Sequence, residues 1–154
     1  MLNQIASSSA KKPCFWDYHV ILIQSSKVVK KGKSVTEARV LDMDSRLPYS
    51  CTLEEYLDGT FNMQFADEDK KKYAPVFRVV KAATYVQTFY SDRMHMKQDG
   101  SWMATPPFYS CITTSNMKKN KKGHLSNLDD YIDMSKKGKL GEICTMEKLR
   151  SKFG

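Results

Sequence analysis

The stretch "FWDYHVILIQ", residues 15 to 24, fits one regular conformation best. Read as a strand, it sends Trp16, Tyr18, Val20 and Leu22 to one side and Asp17, His19, Ile21 and Ile23 to the other. Both faces are largely apolar, so the strand is expected at the centre of its sheet. "VTEARVLDMD" (35 to 44) supplies a second strand after the lysine- and glycine-containing segment 25 to 34, and the two predict an antiparallel hairpin.

Directly opposed residues of such a hairpin have a constant sum of positions. A two-residue loop at Lys30-Lys31 makes that sum 61 and sets His19 opposite Asp42; a four-residue loop makes it 63 and brings Asp44 there instead. An odd loop with Gly32 in a left-handed conformation reverses the parity unless a bulge restores it. In either even register His19 shares a face with an aspartate, which can accept the Nδ1 proton, fix the tautomer and stabilise the imidazolium. A histidine among isoleucines is equally a core residue satisfied by a neighbouring carboxylate, and Asp42 equally caps a turn before Leu47-Pro48. Spacing alone leaves both readings open.

Further along, Thr52 with Glu55 has capping-box spacing and opens a helix through Leu57. "PVFRVVKA" (75 to 82) is a strand. Thr84 with Gln87 repeats the capping-box spacing before a helix carrying Tyr85, Val86, Phe89 and Tyr90, which "QDGSW" breaks at Asp99-Gly100. A short strand is expected near "FYSCI", a loop over 115 to 124, an N-cap at Asn127, a strand at "GEICT", and a closing helix from Thr145 through Phe153. Strands and helices mingle without βαβ alternation, so the fold class is α+β and layered. The 154 residues suffice for a single domain.

No uninterrupted aliphatic run approaches the ~18 residues of a membrane span, so a soluble, intracellular protein without membrane partners is expected. Cys14, Cys51, Cys111 and Cys144 form no C-x-x-C pair and suggest free thiols; no metal or cofactor motif accompanies them. The net charge of +8 would suit a nucleic-acid binder. Yet the lysines fall in separate clusters at 27 to 33, 69 to 72, 118 to 122 and 136 to 139, which read as solvated loops, so no nucleic-acid partner is expected.

A resemblance adds to this. "WDYHV" (16 to 20), "VLDMDSRLPYSC" (40 to 51), "FRVV" (77 to 80), "FYSDRMHMK" (89 to 97), "GSW" (100 to 102), "PPFYSCI" (106 to 112), "NLDDYIDM" (127 to 134) and "KFG" (152 to 154) resemble, in order, the blocks of the protein N-terminal glutamine amidohydrolases. The likeness covers about residues 14 to 154 and leaves 1 to 13 unmatched. It implies a three-layer α-β-α sandwich with a largely antiparallel sheet, similar to the transglutaminase and papain-like core. It also implies a cytoplasmic and nuclear, monomeric hydrolase without cofactor, whose substrates are proteins bearing N-terminal glutamine. The side-chain amide would be hydrolysed to glutamate and ammonia, feeding the N-degron pathway. By the same resemblance the catalytic histidine and aspartate of a Cys-His-Asp triad are His19 and Asp42.

The family's nucleophile lies upstream of "WDYHV", where a cysteine precedes two acidic residues and an asparagine. No such motif occurs here, so no cysteine of this sequence is assigned as nucleophile and the domain is expected to be N-terminally incomplete. Cys14 would stand ~16 Å from His19 on an extended strand and point to the opposite face. Cys51, in "CTLEEY", falls at a position to which the resemblance gives no catalytic role, as do Cys111 and Cys144. The alternative is a non-catalytic form that retains the fold as a peptide-binding or interaction module. His95, Trp102, Pro106, Pro107 and Asp17 are further residues that could line the site, each with an ordinary structural role as the competing reading.

Overall fold

The computed structural model describes residues 1 to 62, 73 to 135 and 140 to 154. The lysine clusters at 69 to 72 and 136 to 139 lie outside the described residues. Two compact units emerge, one of Met1–Phe77 with Cys144–Gly154 and one of Arg78–Ile143. Both mix helix and strand, and the paired strands with an assigned register are antiparallel, which makes the fold α+β.

The first unit is built on a three-stranded sheet of β1 (Leu22–Lys30), β2 (Lys33–Leu41) and β3 (Ser50–Thr52), in that order. The hairpin turns at Lys31-Gly32, where φ is +51° and +74°. Two consecutive positive φ values give the turn whose twist matches that of paired strands. The register runs from Lys30↔Lys33 to Leu22↔Leu41, a sum of 63 reached with a two-residue loop rather than a four-residue one. Of the lysines of 27 to 33, Lys27, Lys30 and Lys33 therefore sit on strands and only Lys31 in the turn, with Lys30 paired to Glu37.

Two strand expectations need correction. β1 begins at Leu22, so Phe15 to Ile21 is irregular; and β1 is an edge strand, β2 the central one. The ladder ends at Leu41 because Asp42 turns its own chain: its Oδ1 accepts from the Asp44 amide at 2.9 Å, which draws the backbone out of the strand path. Beyond that point β1 has no partner to extend against. Phe15 and Val20 are accordingly 69% and 64% exposed rather than central in a core.

α1 (Leu53–Phe61) starts where the capping box places it, Thr52 Oγ1 accepting from the Glu55 amide and Glu55 accepting from the Thr52 amide. Those bonds hold the Glu55 carboxyl below its ordinary range. One face of α1 buries Leu53, Tyr56, Leu57 and Thr60, at helical spacing. The C-terminal helix, α4 (Met146–Phe153), is capped by Thr145 and adds Leu149, while Arg150 pairs with Glu54 and Asp58 of α1. The N-terminal residues are tied down too: Arg46 donates to the carbonyls of Gln4, Ile5 and Ser7, and Gln4 bridges to Ser45.

The chain leaves this unit along β4 (Val76–Val79) and returns along β7 (Glu142–Thr145). Within the second unit, α2 (Ala82–Thr88) starts at Lys81, ahead of the expected Thr84, because Ala82 and Ala83 are strong helix formers. It stops at Thr88 rather than near Asp99. Asn127 accounts for this: its side chain accepts from the Tyr90 amide and donates to the Thr88 carbonyl, groups a longer helix would use. Asn127 thus braces α2 and does not cap α3 (Leu128–Ile132) with its side chain. Asp99 and Gly100, both at positive φ, turn a hairpin between β5 (Lys97–Gln98) and β6 (Ser101–Trp102). Near "FYSCI" a bridge of Ser91 to Ile112 replaces the expected strand, since Arg93 occupies the carbonyls of Pro107, Tyr109 and Ser110. In the expected loop 115 to 124, Asn120 Oδ1 accepts from the Lys122 and His124 amides. Among the described residues no helix is long and apolar enough to cross a membrane.

The packing of α1 yields a stability prediction. Leu57 is fully buried, so Leu57→Ala should lower the unfolding free energy by ~2–5 kcal/mol in urea titration, whereas Val86→Ala, at 73% exposure, should change it by under ~1 kcal/mol.

Candidate functional site

His19 lies three residues before the ladder begins, yet its Nε2 stands 3.0 Å from Asp42 Oδ2. The strand register does not make this contact. Carried past Leu22, the sum of 63 would have set His19 opposite Asp44. Instead the irregular segment 15 to 21 delivers the imidazole to the carboxylate at the end of β2. The ring nitrogen engaged is Nε2, not the expected Nδ1, so Nδ1 is left facing away from the aspartate.

Asp42 is buried, and a buried carboxylate needs donors on both oxygens. Tyr56 Oη donates to Oδ2 at 2.8 Å, and the Asp44 amide donates to Oδ1. Burial first, and then the adjacent carboxylate, push the Tyr56 phenol far above its ordinary range. Tyr56 is therefore a permanent donor, and Oδ2 is shared between it and His19. Sequence reasoning missed this residue. A tyrosine on the inward face of a helix must find a partner for its hydroxyl, and that signal was present in Leu53, Tyr56, Leu57 and Thr60.

On its open side His19 stacks against Trp16, with ring centroids 5.4 Å apart and planes 28° from parallel. Trp16 Nε1 donates to Oε1 of Gln4 at 3.1 Å, and Gln4 is itself fully buried. The imidazole is thus fixed on two sides, by a carboxylate at its edge and an anchored indole at its face. Trp16, Asp17, Tyr18, His19, Val20 and Asp44 line a cleft of about 380 Å³. Asp17 does reach the site, as the strand face suggested, although through irregular backbone.

His19, Asp42 and Asp44 offer one nitrogen and two carboxylate oxygens within 4.8 Å of one another. Both oxygens of Asp42 already hold donors, so a metal would have to displace Tyr56, His19 or the Asp44 amide. The Asp44 carboxylate alone of the three has no hydrogen-bonded partner among the described residues. The arrangement suits proton transfer at His19 better than metal ligation.

No sulfur forms a hydrogen bond with His19 among the described residues. Cys14 is half-buried, and its backbone is paired with Met1. Cys51 lies in a second cleft, of about 440 Å³, with Arg39 and Glu55; burial and then Glu55 push its thiol up, the wrong direction for a nucleophile. Cys144 is buried and Cys111 exposed. His95 occupies an exposed one-turn helix in the second unit, where Trp102 lies over Lys97 and Pro107 accepts from Arg93.

Comparison with known proteins places this geometry in context. A family model described as N-terminal glutamine amidase matches residues 1 to 153. The chain is 37% identical over 149 residues to the protein N-terminal glutamine amidohydrolase of Danio rerio, covering 96% of this chain and 66% of that protein. The human protein of the same name is 34% identical over 143 residues, 92% of this chain and 62% of its own length. That of Arabidopsis thaliana is 40% identical over 134 residues, covering 86% and 55%. The chain therefore spans between about half and two thirds of the length of these relatives.

Two outcomes follow from the local geometry. Tyr56→Phe removes a donor from a buried carboxylate and should cost ~1–3 kcal/mol in urea unfolding, against a negligible loss if Oδ2 needed only His19. In alkylation with iodoacetamide under native conditions, Cys111 should react first and Cys51 and Cys144 only on unfolding; early labelling of Cys51 would contradict its burial and raised thiol.

Proposed function

The chain belongs to the N-terminal glutamine amidase family, and we propose that it carries the base half of a thiol amidohydrolase that converts N-terminal glutamine of proteins to glutamate and ammonia. The observation that supports this most is the His19–Asp42 hydrogen bond, formed by the two residues that the family resemblance names.

In this reading Asp42 Oδ2 accepts the Nε2 proton of His19 and holds the ring in the tautomer that leaves Nδ1 basic. Nδ1 removes the proton of a thiol, which attacks the side-chain amide carbon of glutamine. The imidazolium then returns that proton to the departing ammonia, and Asp42 compensates its charge. Water attacks the resulting thioester, with Nδ1 again as base, releasing N-terminal glutamate. Trp16 shields one face of the imidazole, which favours proton transfer along its edge. The thiol is not Cys14, Cys51, Cys111 or Cys144, none of which bonds to His19; it comes from protein outside these 154 residues. The product then enters the N-degron pathway, in cytoplasm or nucleus, where free thiols persist.

The same lack of a thiol at His19 favours a second reading, a peptide-binding module without turnover. Ammonia release from a peptide beginning with glutamine separates the two. The 154-residue chain alone should release none. Joined to the part of the Danio rerio relative that it does not match, it should turn over, and His19→Ala or Asp42→Asn should lower kcat by roughly 10³-fold or more. A folded but inactive chimera would favour the binding module. Turnover by the 154-residue chain itself, lost in His19→Ala, would refute an external thiol.

A further inference from the structure

We propose that Asp44 is the specificity residue that receives the α-ammonium of the substrate, so that the cleft beside His19 distinguishes a free N-terminal glutamine from an internal or acylated one. This rests on the amidase reading of the site and assigns within it the recognition of the free amino group.

Asp44 is exposed and lines the cleft with His19. Its carboxylate lies within 4.8 Å of a ring nitrogen of His19 and of Asp42. Its backbone is fixed on both sides: the amide donates to Asp42 Oδ1, and the carbonyl accepts from Ile5 at 2.7 Å. The carboxylate itself holds no partner among the described residues. A rigid backbone bearing an uncommitted charge, beside the base of the reaction, is preorganised for a cationic group that arrives with the substrate.

The covalent length of glutamine fits. Four bonds separate its α-nitrogen from the side-chain amide carbon, a reach of ~5 Å when extended. An ammonium within ~2.8 Å of Asp44 therefore allows the amide carbon to lie at the free edge of the His19 ring, where Nδ1 points.

The charge distribution points the same way. The chain carries 25 lysines and arginines against 17 acidic residues, yet among the described residues those lining this cleft include Asp17 and Asp44 and neither lysine nor arginine. The described lining of the cleft is acidic in a cationic protein. Trp16 and Tyr18 add aromatic faces, which also attract ammonium groups. Asp17 strengthens the local field, but Asp44 is the carboxylate placed within reach of His19.

Isothermal titration of the 154-residue chain with Gln-Ala-Ala and with N-acetyl-Gln-Ala-Ala tests this. The free peptide should bind at least roughly 10-fold more tightly than the acetylated one, and Asp44→Asn should bring the two within about 2-fold. Asn retains the amide and carbonyl bonds of position 44, so the variant should fold, and an unchanged urea unfolding midpoint verifies it. Asp17→Asn should weaken the preference less than Asp44→Asn does. Raising the pH through the α-amino range of ~7.7–8.0 should weaken the free peptide by discharging it and leave the acetylated one unaffected. Retained discrimination in folded Asp44→Asn overturns the proposal. So does its loss in Asp17→Asn alone, or a preference that appears only with added Zn²⁺ and vanishes with EDTA. Absence of peptide binding by the parent chain overturns it as well. Ammonia release by the chimera is read separately, so a working amidase with an unselective Asp44 is distinguished from failure of the amidase reading.

Discussion

The carboxylate of Asp42 is the group on which the first unit's site and core both depend. It stands at the end of the central strand, buried, and an ionised carboxylate there is tolerable only when its oxygens are filled by donors. Three separate pieces of chain supply them: the irregular segment through His19, the inward face of α1 through Tyr56, and the turn after β2 through the Asp44 amide. A capping box at Thr52 fixes where α1 begins and hence where Tyr56 points. The donors that make Asp42 tolerable also make it rigid. An imidazole bonded to a rigid carboxylate has one ring nitrogen committed and the other available, the condition a general base requires.

This explains why the pairing of His19 with Asp42 was legible in the sequence although the geometry behind it was not. An even hairpin register puts the histidine on the same face as an aspartate; the contact with Asp42 does form, but not through that register. The register itself differs: the loop is Lys31-Gly32, both residues take positive φ, and the ladder ends before reaching His19. The aspartate that seemed a continuation of β2 is what terminates it, through its bond to Asp44. Side-chain competition for backbone groups is not visible in alternation, and it recurs at Asn127, which ends α2 by taking the bonds of Thr88 and Tyr90. Helix starts signalled by reciprocal or hydroxyl caps, at Thr52 and Thr145, were readable because the cap and its partner are local. Helix ends set by residues distant in sequence were not.

The part of the site beyond the pair was hidden for a related reason. Trp16 and Gln4 are twelve residues apart and join through a hydrogen bond of 3.1 Å, in a region that offers no regular spacing to read. Gln4 is fully buried, and both ends of its amide are used, Oε1 by Trp16 and Nε2 by the Leu2 carbonyl. A buried amide satisfied at both ends resists movement, since shifting it would leave polar groups unpaired. The indole inherits that rigidity and passes it to the imidazole face. Residues 4, 16, 19, 42 and 56 thus act as one polar and aromatic assembly, although no two of them belong to the same element of secondary structure.

Rigidity at His19 and openness at Asp44 divide the labour within the cleft. Both oxygens of Asp42 already accept from internal donors, so that carboxylate is committed to the fold rather than to a ligand. Asp44, two residues on, has the reverse condition: its backbone is spent on the fold and its side chain is not. Net charge gives no guide to such a place, because +8 is a sum over the whole chain and the described lining of this cleft holds no lysine. A cation approaching the protein is repelled on average, but local field outweighs net charge at distances shorter than the ~8 Å over which physiological salt screens. Selection of a cationic group here would require no large pocket, only a carboxylate without a partner among the described residues, within 4.8 Å of a ring nitrogen of His19.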